Sequence, residues 1–213
     1  MSPDSNSDQK KEYPHFVVAR INEYIQPIDR GDRYEDPLAD ILEEKGLGEV
    51  TGGGTQLSRE GRIEGVDLDI ELANLDEALS LTRKTLVDLG VPVGSRLTYT
   101  KDGEDKVEEI GNMEGIEIYL DAVGLPDEVY ETLDFPVEYE RLTEMLKTAD
   151  GEPRSVYDLN EETLITAYGP DADRLFASIE TVSNTIPVFQ NARIVFKRRD
   201  PSKEPGERRL PKN

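Results

Sequence analysis

Between Val66 and Leu72 the chain alternates apolar and acidic residues without a break, Val-Asp-Leu-Asp-Ile-Glu-Leu. A period of two belongs to a β-strand, so Val66, Leu68, Ile70 and Leu72 share one face while Asp67, Asp69 and Glu71 share the other. The apolar face has to lie under helices. The acidic face needs cover, solvent or a partner.

The surrounding patterns supply the rest of a sheet. Val17, Ala19 and Ile21 alternate with Phe16, Val18 and Arg20 as a first strand, and Pro27 to Glu35 reads as a loop. Asp36 and Pro37 then open a short helix with the stripe Leu38, Ile41 and Leu42, stopped at Gly46. Glu49 to Leu57, interrupted by Gly52, Gly53 and Gly54, suits an edge strand with a bulge or a close backbone approach. Asn74 and Glu77 form a capping box ahead of Leu75, Leu79, Thr82, Leu86 and Leu89, and Gly90 closes that helix. Arg96 to Tyr99 is a last strand. The order β-α-β-β-α-β is the split βαβ, or ferredoxin-like, unit.

The pattern then starts again. Ile116, Ile118, Leu120 and Ala122 alternate, and a helix falls within Val137 to Lys147. Val156 to Leu159 and Leu164 to Tyr168 form a hairpin, Asp171 caps a helix through Leu175, Ile179 and Val182, and Ala192 to Phe196 closes the series. Pro92-Val93 and Pro187-Val188 stand at the same joint of the two series. The expected fold is α+β, two tandem ferredoxin-like (βαββαβ) halves at 14–100 and 113–197. A charged, glycine-punctuated linker joins them at 101–112. The tails at 1–13 and 198–213, the second one basic, have the composition of flexible chain.

Three segments, RGDRYEDPL at Arg30 to Leu38, GEVTGGGTQL at Gly48 to Leu57 and GPDADRLFASIE at Gly169 to Glu180, resemble uncharacterised bacterial proteins of about this size. The resemblance implies no catalytic residue, so function has to be argued from the residues themselves.

Charge and composition exclude several classes. Asp and Glu number 46 against 25 Lys and Arg, a formal charge of −21, which repels phosphate backbones and makes nucleic acid an unsuitable ligand. No Cys and one His remove disulfides, zinc ribbons, thiol nucleophiles and multi-histidine metal sites. No apolar run approaches the ~18 residues of a membrane span, and the first residues lack the apolar core of a signal peptide. A soluble, cytoplasmic protein is expected.

The candidate residues fall in three groups. Gly52, Gly53, Gly54 and Thr55 could turn backbone N–H groups toward an anion, but a P-loop needs a following Lys and a helix, and neither is present. Arg30, Arg33 and Tyr34 lie with Asp32 and Glu35 in the loop beside a helix start, where polar ligands are often oriented. Asp67, Asp69 and Glu71 recur at ~6.8 Å, too far apart for three ligands on one ion, and Arg20 on the first strand can pair with one of them. His15 stands at a strand mouth with no nucleophile elbow in the chain. No catalytic residue, metal ligand or cofactor is assigned.

The reading that follows is a non-catalytic protein-binding module whose acidic surface takes a basic protein, an immunity or antitoxin role being one instance. The alternative is an enzyme or small-ligand binder with a site between the halves, using Gly52 to Thr55 with Arg30 and Arg33.

Overall fold

The computed structural model describes residues 12–59 and 61–212. Its first sheet is built from β1 (His15–Ile21), β2 (Gly48–Leu57), β3 (Ile63–Leu72), β4 (Arg96–Lys101) and β5 (Glu104–Glu109). All pairs are antiparallel, in the order β2-β3-β1-β4-β5. The alternating strand lies inside the sheet with Val66, Leu68, Ile70 and Leu72 fully buried. They pack with Val17, Ala19 and Ile21 of β1 under α2 (Asp36–Lys45) and α3 (Glu77–Asp88), through Leu38, Leu42, Leu79 and Leu86. Burying each such side chain favours folding by ~1.5–3 kcal/mol.

The second sheet consists of β6 (Glu114–Asp121), β7 (Glu152–Asp158), β8 (Glu162–Gly169), β9 (Arg193–Lys197) and β10 (Glu207–Arg209), in the order β10-β9-β6-β8-β7. Position for position this is the order of the first sheet. Between its strands run a short α4 (Asp127–Glu131), then α5 (Phe135–Lys147) and α6 (Ala172–Ile179). Leu142, Leu146, Leu175 and Ile179 of α5 and α6 cover Ile116, Ile118 and Ile165 in a core of their own. Two ferredoxin-like α+β halves in tandem are therefore what the chain forms.

Local chemistry sets the ends. Gly46 takes the left-handed conformation, φ 63°, that stops α2. Asn74 caps α3 by accepting from the backbone N–H of Glu77 at 2.8 Å, and Asp171 caps α6 by accepting from Arg174 N–H at 2.9 Å. β2 is an edge strand whose register slips between Val50 and Gly52, the bulge implied by its glycines.

Three segments differ from the sequence reading. Pro27 to Glu35 is not a loop: α1 (Pro27–Arg30) runs through a π-turn at Gly31–Glu35 straight into α2. Pro27 occupies the first helical position, where its missing N–H costs nothing, and the wider turn carries Tyr34 inward. The stretch 101–112 contains β5, joined to β4 by Asp102-Gly103, both at positive φ, the two-residue turn that matches strand twist. Past Lys197 the basic segment returns as β10 and buries Leu210, anchored by Arg198, which donates to the carbonyls of Lys203 and Pro205. Of the expected N-terminal tail, residues 1–11 lie outside the described residues.

Candidate functional site between the halves

The sequence-derived candidates separate into three places. Arg30 lies over the glycine-rich edge strand: its Nε donates to Glu35 Oε1 at 2.6 Å and its Nη1 to the Gly54 carbonyl at 3.0 Å. Gly53 is the residue that allows this, because a Cβ there would stand 2.5 Å from the Asp67 carbonyl oxygen and 2.9 Å from Glu35 Oε1. The close backbone approach is real, and Arg30 is spent holding the helix to the strand. Gly52, Gly54 and Thr55 continue that strand, and none of them lines the cleft between the halves. Arg33, expected to act with this run, reaches across to the second half and donates to Glu152 at 3.0 Å.

Asp67, Asp69 and Glu71 line the outer face of the first sheet, half-buried, opposite Arg20, Val18 and Phe16 on β1. Arg20 stands across from Asp67, but the Asp67 carboxylate accepts from the Gln56 amide at 2.9 Å. Among the described residues no three His, Cys, Asp or Glu side chains gather as metal ligands. His15 opens β1, half-buried, as expected of a strand mouth.

Tyr34 belongs to a third place that sequence reasoning did not assemble, the junction of the halves. Its hydroxyl donates to Glu23, which is fully buried, and Arg154, 2 % exposed, donates to the same Glu23 oxygen at 3.2 Å, to the Tyr34 hydroxyl at 3.1 Å and to the Gly90 carbonyl at 3.0 Å. Burial pushes the Tyr34 phenol pKa upward and the Glu23 carboxylate adds to this, so the phenol stays a donor. Burial alone would lower the Arg154 guanidinium; Glu23, Tyr34 and Glu152 outweigh it and hold the charge on. Arg154 arrives there through a register slip between Pro153 and Ser155 in β7, and Tyr34 through the π-turn. Two backbone irregularities, 120 residues apart, place the partners of one buried cluster.

Beside this cluster the halves enclose a cleft of about 200 Å³. Tyr119, Tyr157, Leu159 and Leu164 from the second half face Tyr24, Arg62, Ile63 and Glu64 from the first. Tyr119 donates to Glu117 at 2.9 Å, and the same carboxylate, which also acts on the Tyr24 phenol, has its other oxygen 2.8 Å from Lys197 Nζ. Burial first, then Glu117, raises the pKa of both phenols. One signal of this junction was legible. The outward positions of β3 are Asp67, Asp69 and Glu71, whereas those of its counterpart β8 are Leu164, Thr166 and Tyr168, a set suited to burial, and all three are buried.

No protein-family model matches the chain, and no curated protein matches it. Solved structures do. A Galdieria sulphuraria protein is 10 % identical over 86 % of this chain and 96 % of its own, with a TM-score of 0.25. The regulatory subunit of aspartate kinase from Thermus flavus is 12 % identical over 78 % and 91 %, TM-score 0.24, and the ligand-free form of that subunit from Thermus thermophilus 13 % identical over 81 % and 93 %, TM-score 0.25. At such TM-scores the likeness carries no argument about what this chain binds. Among the described residues no helix is long and apolar enough to cross a membrane.

Proposed function

We propose that this protein is a non-catalytic binding module that offers the outer face of its first sheet to a basic protein. The observation that carries the reading is an asymmetry between two sheets of the same order. The outer face of the second sheet is buried under the first half, with Glu117, Leu164, Thr166 and Tyr168 all below the surface. Among the described residues the same face of the first sheet has no such cover: Phe16 is 55 % exposed and Val107 63 % exposed, in a field of carboxylates. Along its rows Glu49, Asp67, Asp69, Glu71, Asp105 and Glu109 stand against Arg20 and Arg96. Apolar residues ringed by one sign of charge suit a partner of the opposite sign, and the net charge of −21 raises its rate of encounter at low salt.

Asp69→Lys with Glu71→Lys tests it. A basic protein captured by the full chain should bind more weakly to this double variant, and binding to the unaltered chain should fall between about 50 and 500 mM salt as the Debye length shortens. Glu140→Lys with Glu144→Lys on α5 makes the same change of charge on the opposite layer. An equal loss there would reduce the interaction to general charge attraction and end the proposal.

A further inference from the structure

The cleft between the halves plays no part in that docking face. We propose that it binds a small organic ammonium ion, held against the rings of Tyr24, Tyr119 and Tyr157 with the Glu64 carboxylate as counter-charge. Its volume of about 200 Å³ corresponds to about seven water molecules of liquid. Three of the nine tyrosines of the chain line it, and aromatic faces attract cations through the negative potential above the ring. The rings already do so within the protein. The Arg193 guanidinium lies 3.7 Å from the Tyr119 centroid and Lys197 Nζ 5.9 Å from that of Tyr24.

Carboxylates bear both on the wall of the cleft and on its rings. Glu64 lines it, Glu117 lies behind two of the rings, and Asp29 and Glu23 act on the third. Burial, then Asp29 and Glu23, pushes the Tyr157 phenol up to about 12, so it remains neutral and its ring electron-rich. Against these stand Arg62 on the wall, Lys197 paired with Glu117, and Arg193 paired with Glu162. Arg62 is the wall group an incoming ammonium must avoid, and Glu64, two residues further along the chain, is the one it approaches.

Choline and its uncharged isostere 3,3-dimethylbutan-1-ol separate a cation site from an apolar hole. Both are titrated into the full chain at low ionic strength by calorimetry and by tyrosine emission, which no tryptophan overlays because the chain has none. Choline should bind about ten-fold more tightly than the isostere. Glu64→Gln and Tyr157→Leu should each weaken choline by about five-fold, while Tyr157→Phe, which keeps the ring, should leave it unchanged. Equal binding of the isostere, absence of saturable choline binding, or choline affinity untouched by Glu64→Gln would each overturn the proposal. The exposed position of Glu64 makes that variant decisive even where Tyr157→Leu unfolds the protein.

Discussion

Gly53 and Gly54 are adjacent in one strand and face opposite requirements. At Gly53 a Cβ would strike the Asp67 carbonyl oxygen and crowd the Arg30–Glu35 pair, whereas at Gly54 nothing lies within 4 Å. Gly53→Ala should therefore destabilise the protein by about 1–3 kcal/mol, because backbone or a paired side chain has to move. Gly54→Ala should be neutral or stabilising by a few tenths of a kcal/mol, through the lower entropy of the unfolded chain. Urea denaturation of the two variants measures both, and equal effects would show that the approach at Gly53 is not a constraint. That some backbone comes close to this run was readable from three glycines in a strand. Which residue approaches was not, because Arg30 is brought there by a helix that its mixed charges and Pro27 had suggested was loop.

At the scale of elements, α6 holds the returning C-terminal segment through one carboxylate. Asp173 accepts from Arg198 at 2.7 Å and from Lys203 at 2.6 Å, and those two hydrogen bonds hold its pKa down at about 2. An unfolded Asp titrates near ~3.9. A lowered folded-state pKa stabilises above the unfolded value, and this contribution fades as pH falls through about 2. Asp173→Asn should lose stability at neutral pH and show a shallower fall in melting temperature between about pH 5 and pH 2. Parallel acid limbs for the two proteins would show the bridge to be idle. The same segment explains why β5 and β10 were missed. EDKVEE and ERR carry no apolar alternation, and both are held at a sheet edge by ladder bonds to a neighbour already in place.

Over the whole molecule, the two cores meet through Glu23, Tyr34 and Arg154. Removing one member of a buried ion pair leaves the other charge without a partner, so Arg154→Met should cost about 3–5 kcal/mol. Adding Glu23→Leu removes the stranded carboxylate and should restore most of that loss, since an apolar pair of similar volume avoids desolvation of charge altogether. A double-variant cycle by chemical denaturation reads the coupling, and simple addition of the two costs would show that the residues act independently. The acidity of the chain has a consequence at this scale too. Self-repulsion in a body this negative is screened by salt, so melting temperature should rise from low to moderate ionic strength even as capture of a basic partner weakens.

The two ferredoxin-like halves, their strand faces and the main helix caps are all written in local patterns of the chain. Periods of 2 and 3.6 state which side of an element is buried, and Asn74, Asp171 and Gly46 act on backbone within a few residues of themselves. The outward residues of β3 and β8 hint at which sheet face is covered, but what covers it, and through which side chains, emerges only when the halves dock. Glu23 and Arg154 lie 131 residues apart, Tyr119 and Tyr24 come from different halves, and Arg154 reaches the junction through a slip in strand register. A local pattern fixes burial against an element's own neighbours. The docking of one folded half on the other is set by the shapes and charges of surfaces that exist only after both have folded.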